Sequence, residues 1–397
     1  MKIAYCGPIS LSLIAPDLND EYHLLDGYAY PFGAYYVKEL LRLGHEVVVV
    51  TSAMRAKEIL RYKDEKLEVI VCPRRRPRHF VFDAYRRERR DMAQELKRSS
   101  PDLIHAQWCY EFCHAARSTG LPYLVTLRDA PWSVLWHFRS IYRLYRLIYS
   151  YYTLIGVKHM TGVSDYICDT FSRHYSKKEI QIVPNALDAS LLVQDARQVP
   201  EGRGYRFLSV SGWSRLKNCT ALLEAFGLIR EVHQDARLSL VGFGLEIGGE
   251  GHQWAKSRGL DAGVDFCGRM GHREILDLLE DETDIFAYTS LNESFCMVVL
   301  EAMAKGVPVV VFPESGAVPW LVDYGKCGMI ANTQKPEDFA QSCLTLMADP
   351  TMYRNLGTAG LKRVEDCFTM GQVANAYLDI YNSILEEAQD EETRIKA

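Results

Sequence analysis

Residues 292–311 read NESFCMVVLEAMAKGVPVVV, and this stretch decides the fold. The apolar residues in Cys296–Lys305 predict a helix, with Ser294 as its N-cap and Gly306 at its end. Val307–Phe312 follows as an uninterrupted apolar run, which is typical of a strand buried on both faces. A helix that leads directly into a buried strand indicates a parallel sheet covered by helices.

The same alternation continues outward in both directions. Further strands are predicted at Ile3–Tyr5, His45–Thr51, Leu67–Cys72, Leu103–His105, Tyr123–Leu127, Ile182–Val183, Arg206–Val210, Leu238–Val241 and Ile285–Tyr288. Further helices are predicted at Phe32–Leu43, Ala221–Val232, His272–Glu280 and Val373–Glu387. The polar segment Asp188–Gly204 interrupts the alternation and is the best linker candidate. We therefore predict an α/β protein with two doubly wound, Rossmann-like domains that face each other across a ligand-binding cleft.

Composition limits the class of protein. The 397 residues are 48% hydrophobic and 24% charged, which is globular composition and excludes a disordered or fibrous chain. The net charge of −5 gives no global positive field of the kind that nucleic-acid binders carry. No uncharged stretch reaches the roughly 18 residues that span a bilayer, and the opening MKIAYC predicts a strand rather than a signal peptide. The eleven cysteines include no CxxC pair, which fits reduced thiols in a cytoplasm.

Glu293 and Glu301 are the strongest candidates for a binding site. If the residues between them were helical, their backbones would lie roughly 12 Å apart along the helix axis. That separation is too long for a glycosidase pair, but it suits two carboxylates that hold opposite ends of one elongated ligand. The helix N-terminus between them would favour a diphosphate. The alternative is a capped surface helix with two solvated glutamates.

Two other loops that follow predicted strands offer groups for an anion. Residues 210–218, VSGWSRLKN, contain Arg215 and Lys217, which could neutralise a leaving diphosphate. Residues 315–322, SGAVPWLV, contain Gly316, which permits close backbone approach at the start of a helix. The alternative for both is an ordinary solvated loop.

Two motifs of nucleotide-binding proteins are absent. The chain has no Asp-x-Asp sequence, which is the usual metal clamp for a nucleotide diphosphate. Residues 242–249 read GFGLEIGG, and Ile247 stands where a GxGxxG motif requires its third glycine. Both absences weigh against a metal-bound diphosphate and a dinucleotide.

Taken together, these motifs resemble family-four retaining glycosyltransferases of the GT-B fold over nearly the whole chain. The C-terminal half carries the most specific part: the Glu293-x7-Glu301 pair followed by AMAKGVPVV, the GAVP turn, the Arg215 and Lys217 loop, and LSLVGFG. The N-terminal half contributes LLRLGHEVVVVTS, PDLIHAQ, LPYLVTLRD, GVSDYI and IVPNALD. The resemblance implies an acceptor-binding domain over residues 1–190 and a donor-binding domain over 191–371, with a final helix over 372–397 that crosses back to the first domain.

The resemblance also implies roles for individual residues. Glu301 would bind the ribose, Glu293 the donor sugar, and Arg215 and Lys217 the diphosphate. The remaining expected donor contacts are Phe295, Cys296, Met297, Gly316, Arg269, Met270 and Gly242. The catalytic set would be Glu293, Arg215, Lys217, Arg128 and Asp129, with a UDP- or GDP-linked sugar as donor and neither metal nor other cofactor.

Two of the departures from the family pattern are at predicted site residues. The family usually has glycine where this chain has Cys296, and a Cβ there narrows the space beside the sugar. The family often has histidine before the aspartate of its TLHD-like segment, where this chain has Arg128 before Asp129. Whether Arg128 takes over the function of that histidine is open.

We predict a retaining glycosyltransferase that acts in glycan or surface polysaccharide biosynthesis, located in the cytoplasm. The alternatives are a GT-B sugar phosphorylase, a nucleotide-sugar epimerase, or a catalytically silent GT-B partner subunit.

Two basic segments extend the prediction to the acceptor. Pro73–Arg90 reads PRRRPRHFVFDAYRRERR, and Arg139–Tyr152 reads RSIYRLYRLIYSYY. Basic and aromatic residues in alternation suit an anionic membrane surface, so we predict a peripheral contact through Arg74–Arg90 and a glycan or lipid-linked acceptor. The alternatives are a solvated helix face for the first segment and a core-packed helix for the second.

Overall fold

In the computed structural model, which describes residues 1–14, 30–76, 81–175 and 180–396, the chain forms two α/β units. The first unit contains Met1–Ala186 and the last helix of the chain, which begins at Met370. The second unit is Leu187–Thr369. The chain therefore leaves its first unit and returns to it after completing the second.

The first unit is built on an eight-stranded sheet. Its strands are β1 (Lys2–Cys6), β2 (Glu46–Ala53), β3 (Leu60–Lys63), β4 (Leu67–Pro73), β5 (Leu103–Gln107), β6 (Tyr123–Leu127), β7 (Met160–Gly162) and β8 (Gln181–Ile182). Its helices up to the linker are α1 (Leu11–Ile14), α2 (Pro31–Arg42), α3 (Arg86–Ser99), α4 (Glu111–Arg117), α5 (Pro131–Phe138), α6 (Ile141–Leu154) and α7 (Asp165–His174). The strand order is β3-β4-β2-β1-β5-β6-β7-β8, in which β3 is antiparallel to β4 and the other pairings are parallel.

The second unit is built on a six-stranded parallel sheet. Its strands are β9 (Arg206–Val210), β10 (Arg237–Val241), β11 (Val264–Gly268), β12 (Ile285–Tyr288), β13 (Val309–Val311) and β14 (Met329–Ile330), in the order β11-β10-β9-β12-β13-β14. Its helices are α8 (Cys219–Val232), α9 (Glu250–Lys256), α10 (His272–Asp277), α11 (Met297–Ala304), α12 (Val318–Leu321), α13 (Pro336–Ala348) and α14 (Pro350–Cys367). The mainly parallel first sheet and the parallel second sheet confirm the predicted α/β class.

The last helix, α15 (Met370–Lys396), completes the core of the first unit. Its Tyr381 hydroxyl lies 2.6 Å from the Tyr36 hydroxyl of α2 and 2.6 Å from His105 Nδ1 of β5. On the other side of the ring, His105 Nε2 lies 2.7 Å from Thr126 Oγ1 of β6. This buried chain of hydrogen bonds fixes α15 against the sheet while satisfying polar groups that the core encloses.

The segment predicted as a linker is bonded into the second unit. Apart from a 3₁₀ turn at Ala189–Leu191, residues 188–204 have no regular structure. Val193 N donates to the Ala304 carbonyl and Arg197 N to the Gly306 carbonyl, at the end of α11. These bonds satisfy the last carbonyl groups of that region and hold the segment in place.

Two further expectations concern cysteines and membrane spans. All eleven cysteines lie in the described part of the chain, and all are free thiols. Within the described ranges, no helix combines the length and the apolar character needed to cross a bilayer.

Candidate functional site

The predicted donor residues of the second unit share one edge of its sheet. Each lies in the loop after a parallel strand or in the first turns of the helix that follows. Lys217 and Arg215 follow β9, Gly242 follows β10, Arg269 and Met270 follow β11, Glu293 to Glu301 follow β12, and Gly316 follows β13. The carboxyl ends of parallel strands lie at a common edge, where α/β proteins bind their ligands.

Short backbone contacts tie these loops to one another. Trp213 N donates to the Phe243 carbonyl at 2.7 Å, which joins the loops after β9 and β10. A Cβ on Gly242 would lie 1.9 Å from the Ser211 carbonyl oxygen, so this contact requires glycine. Ala317 N donates to the Glu293 carbonyl at 2.9 Å, and a Cβ on Gly316 would lie 2.3 Å from the same oxygen. The loops therefore form one rigid surface.

The carboxylate of Glu293 is held between two side chains. Its Oε1 accepts a hydrogen bond from Lys217 Nζ at 2.5 Å and another from the Tyr288 hydroxyl at 2.8 Å. Burial lowers the pKa of Lys217, but the neighbouring Glu293 carboxylate more than offsets this, so that pKa is raised overall. The ion pair fixes the positions of both charges, and it leaves Glu293 Oε2 available to a ligand.

Helix α11 begins later than predicted. Its N-cap is Cys296 rather than Ser294, and its first residue is Met297. The backbone of Glu293 pairs with the loop after β13, through bonds to Ser315 and Ala317, and residues 293–296 are not helical. The predicted separation of about 12 Å between the two glutamates therefore rested on a wrong assumption, namely that the backbone is helical from Glu293 onward.

Glu301 lies one turn inside α11 and is buried. Its Oε1 is 2.9 Å from His272 Nε2, at the start of α10. The hydrogen bond to Glu301 raises the pKa of His272. The two glutamates thus have different partners: a lysine and a tyrosine for Glu293, and a histidine for Glu301.

The residues between the two glutamates offer backbone N–H groups, rather than side chains, to the candidate site. The Phe295 ring packs against Trp320 and Phe368, so its side chain belongs to the core. Cys296 has φ 84°, and its side chain is buried. Among the described residues, the backbone N–H groups of Phe295 and Cys296 have no acceptor. Two free N–H groups next to the first residue of α11, Met297, make this turn favourable for an anion.

Arg215 and Arg269 differ from Lys217 in their exposure. Arg215 is exposed, and among the described residues it has no hydrogen-bond or ion-pair partner. Arg269 is exposed too, and its guanidinium lies 4.9 Å from the centre of the Phe243 ring. Met270 is half-buried beside it. The structure therefore brings Lys217 together with Glu293, whereas it leaves Arg215 in solvent.

The first unit contains the other two predicted catalytic residues, Arg128 and Asp129, directly after β6. Arg128 Nε donates to Gln107 Oε1 at 2.6 Å, and its Nη1 donates to Asn185 Oδ1. Its guanidinium also lies 4.5 Å from the centre of the Phe32 ring. These contacts orient the cation from three sides.

Three buried polar atoms near Arg128 have no hydrogen-bond partner among the described residues. They are Gln107 Nε2, Arg128 Nη2 and Asp129 Oδ1, at the carboxyl ends of β5 and β6. Burial raises the pKa of Asp129, although Arg146 and the Tyr110 hydroxyl act in the opposite direction. Unpartnered buried polar groups are rare and costly, and the carboxyl ends of parallel strands are where α/β proteins bind ligands, so this edge of the sheet is a candidate ligand-binding position.

Sequence reasoning missed four residues of these two sites. Tyr288 and His272 bond to the glutamates, while Gln107 and Asn185 hold Arg128. Each stands at the carboxyl end of a strand or in the loop or helix start that follows it, so a search for polar side chains at those positions would have found them.

The basic segment after β4 is largely engaged within the first unit. Arg75 donates to both Glu88 and Asp83, and Arg89 contacts His114. Arg87 and Arg90 are mostly exposed. Arg78 lies outside the described residues. The membrane contact through Arg74–Arg90 stays a prediction.

Solved structures with similar architecture identify the class of protein. Sucrose-phosphate synthase from Thermosynechococcus elongatus matches with a TM-score of 0.76 and 18% identity over 98% of this chain and 100% of that one. HepE from Anabaena, in complex with UDP and glucose, matches with a TM-score of 0.66 and 18% identity over 96% of this chain and 100% of that one. These likenesses establish the GT-B fold.

Sequence comparison then identifies the family. The family model Glycosyl transferases group 1 matches residues 194–363, and Glycosyltransferase Family 4 matches residues 34–191. N-acetyl-alpha-D-glucosaminyl L-malate synthase of Bacillus anthracis is 25% identical over 313 residues, which is 75% of this chain and 78% of that protein. The chain belongs to the group 1 glycosyltransferases and is a transferase enzyme.

Proposed function

We propose that this glycosyltransferase moves a sugar from a UDP- or GDP-linked donor, held by the second unit, to an acceptor hydroxyl with retention of anomeric configuration. The observation that carries the proposal is the Glu293 carboxylate, fixed between Lys217 and Tyr288 beside free backbone N–H groups. A carboxylate for sugar hydroxyls and a cation for phosphate stand side by side, which matches the join between sugar and diphosphate in the donor.

Each end of the donor has a proposed contact in the second unit. Glu301 binds the ribose hydroxyls, because its buried carboxylate is held by His272 and keeps one oxygen for a ligand. Glu293 binds hydroxyls of the sugar through its free Oε2. The HepE structure, which holds UDP and glucose, supports a nucleotide and a sugar as the ligands of this fold.

The protein supplies the positive charge that stabilises the departing diphosphate. Lys217, the exposed Arg215 and the N–H groups at Phe295 and Cys296 are all in the loops of this edge. Stabilising the charge that develops on the leaving group is the main catalytic requirement once the substrates are positioned. We therefore expect no protein nucleophile, and we propose that a phosphate oxygen takes the acceptor proton during attack on the same face.

The first unit is proposed to bind the acceptor and to assist at the reacting centre. Arg128 Nη2, Asp129 Oδ1 and Gln107 Nε2 are buried at the carboxyl ends of β5 and β6 without a hydrogen-bond partner among the described residues. The acceptor is proposed to be a glycan or a lipid-linked sugar, made in glycan or surface polysaccharide biosynthesis in the cytoplasm.

A thermal-shift panel tests the donor. The full-length protein is heated with UDP-, GDP- and ADP-linked sugars and with the corresponding free diphosphates, since a bound ligand raises the apparent Tm. We expect one base to raise the Tm with and without its sugar. No shift with any nucleotide would overturn the donor site.

A product assay tests the chemistry. NMR of the transferred sugar should show the same anomeric configuration as the donor, and an inverted product would refute retention. Sugar release that requires inorganic phosphate, or donor epimerisation without transfer, would instead indicate a phosphorylase or an epimerase.

Chelation tests the source of charge at the diphosphate. Because Lys217, Arg215 and the N–H groups are proposed to supply it, activity should persist in EDTA. Complete loss of activity in EDTA that magnesium or manganese restores would show that a metal ion takes part.

A further inference from the structure

Helices α5 and α6 of the first unit expose a large apolar surface. The exposed fractions are 70% for Trp136, 50% for Phe138, 88% for Ile141 and 61% for Ile148. An open groove of about 370 Å³ between the two helices is lined by Trp132, Leu135, Trp136, Arg139, Ser140, Ile141 and Leu144. Contiguous exposed apolar surface on this scale marks an interaction site rather than scattered surface residues.

The exposed side chains of α6 lie along one helix face. Ile141, Leu144, Ile148 and Tyr152 recur at intervals of three or four residues, and all are exposed. The opposite face is fixed in the unit: Thr153 Oγ1 donates to the Cys109 carbonyl at 2.6 Å. The core-packed helix that stood as the alternative for this segment therefore holds for one side of α6, and the other side is apolar without a covering layer in the described chain.

Two cations border this apolar face, and one of them, Arg143, also helps to lower the pKa of the buried Asp129 carboxyl, which burial raises overall. The sequence contains no Asp or Glu between Asp129 and Asp165, although it has 51 acidic residues in all. Arg139 lies 5.1 Å from the centre of the Trp136 ring, and Arg143 lies 5.2 Å from that of Phe138. Neither arginine forms an ion pair with a described carboxylate. Both can keep their apolar stems on the aromatic rings while their charged ends meet an anion.

We propose that the α5–α6 face, defined by Trp136, Phe138, Ile141, Leu144 and Ile148, docks on a lipid bilayer that contains anionic headgroups. Tryptophan and tyrosine favour the boundary between headgroups and acyl chains, and an amphipathic helix lies in that plane with its apolar side down. Arg139 and Arg143 complement the negative surface. This inference goes beyond sugar transfer, since binding to lipid requires no donor.

A second copy of the chain is a poorer match for the same face. In a twofold dimer the face would meet itself, which brings Arg139 and Arg143 of both copies together. The segment between Asp129 and Asp165 offers no carboxylate to offset this repulsion. Charge complementarity therefore favours an anionic lipid surface.

Co-sedimentation of the full chain with vesicles tests the proposal. The vesicles are phosphatidylcholine alone or with 30% phosphatidylglycerol, a composition of about that order being enough to give a strongly negative surface. We expect binding to the anionic vesicles that weakens at high salt. Ile141→Gln/Ile148→Gln should abolish it, and Arg139→Gln/Arg143→Gln should weaken it by roughly fivefold or more per arginine at low salt.

Matched controls separate this face from the rest of the surface. Val232→Gln removes an apolar side chain that is 64% exposed on α8 in the second unit, and it should not change binding. Arg87→Gln/Arg90→Gln removes two exposed cations of the basic segment after β4, and it should weaken binding less than Arg139→Gln/Arg143→Gln does. A larger loss from these arginines than from Arg139 and Arg143 would overturn the assignment to the α5–α6 face.

A measurement on the wild-type chain does not depend on the folding of any variant. Lipids with brominated acyl chains should quench the tryptophan fluorescence of the wild-type chain, because Trp132 and Trp136 both line this face. No binding of wild type to anionic vesicles at low salt would refute the proposal. So would a wild-type dimer in gel filtration that Ile141→Gln/Ile148→Gln converts to a monomer.

Discussion

Cys296 adopts a backbone conformation that usually belongs to glycine. Its φ of 84° lies in the left-handed region, where a Cβ meets the backbone and costs roughly 1–2 kcal/mol. Cys296 ends the loop that begins at Glu293 and is the N-cap of α11. Its conformation therefore sets the direction of the free N–H groups in this turn. The positive φ explains why the family usually has glycine at this position. This chain adopts the same backbone conformation with Cys296, whose side chain is buried.

Substitutions at Cys296 should separate backbone strain from packing. Cys296→Gly relieves the strain but removes a buried thiol, so we expect the free energy of unfolding to change by less than about 1 kcal/mol. Cys296→Val should lower it by at least about 2 kcal/mol, because a β-branched residue fits a positive φ poorly. Urea unfolding of the three proteins measures both. Equal stability of the glycine and valine variants would mean that φ is not positive in solution.

The two glutamates should affect different steps. Glu301→Gln should weaken binding of the free nucleoside diphosphate roughly 10- to 150-fold, since a hydrogen bond to a charged group contributes about 1.5–3 kcal/mol. Glu293→Gln should reduce kcat more than nucleotide affinity, and Glu224→Gln on the exposed face of α8 should change neither. Calorimetric titration and initial rates provide the comparison. Wild-type nucleotide affinity in Glu301→Gln would remove Glu301 from the ribose.

At the scale of the element, α15 depends on a buried polar contact. The Tyr381 hydroxyl bonds to both Tyr36 and His105, so Tyr381→Phe leaves two buried polar groups without a partner. We expect the free energy of unfolding to fall by about 1–3 kcal/mol. Tyr62→Phe is the control, because the Tyr62 hydroxyl has no bond in the described chain. A loss of similar size in both variants would attribute the effect to general packing.

Two buried histidines should make stability depend on pH. Burial, with help from Arg128, holds the pKa of His105 well below its usual value, while burial and the charges of Arg89 and Arg117 lower the pKa of His114 to about 4. The unfolded chain binds protons at a pKa near 6.5, so stability is complete above that pH and falls as the solution is acidified. The loss approaches about 1.4 kcal/mol per pH unit for each histidine. A free energy of unfolding that stays constant from pH 7 to pH 5 would contradict this.

Sequence patterns predicted strands better than the starts of helices. The bounds of β9 and β12 were predicted correctly, because an apolar run between polar residues marks a buried parallel strand. The N-cap of α11 was not, because local capping preference favours Ser294, whereas Cys296 takes that position with a positive φ that is unusual for its residue type.

At the scale of the whole molecule, the class of enzyme was predictable from the sequence. The side chains that contact each site residue became visible only in the structure. Alternating helices and strands predicted the two α/β domains, and the resemblance of the ordered set of motifs to family-four glycosyltransferases predicted the class of enzyme. The surroundings of Arg128 were not predictable, since Gln107 and Asn185 are distant in sequence and meet only when the sheet forms. The amphipathic nature of α6 was hidden for a similar reason, because tyrosines occur on both its faces.

The return of the chain to its first unit has a consequence for protein synthesis. The ribosome makes β1 to β8 first, yet Tyr377, Tyr381 and Ile384, which complete their core, are made only after the whole second unit. At about 5–20 residues per second, the intervening Leu187–Thr369 takes roughly 10–40 s to translate. During that time the nascent first domain exposes the apolar groove that α15 will fill. We expect chains stalled at Thr369 to be cleaved by protease within residues 1–186 while the second domain resists, and to bind chaperones more than full-length chains. Equal resistance of both domains would show that the first domain folds before its last helix is made.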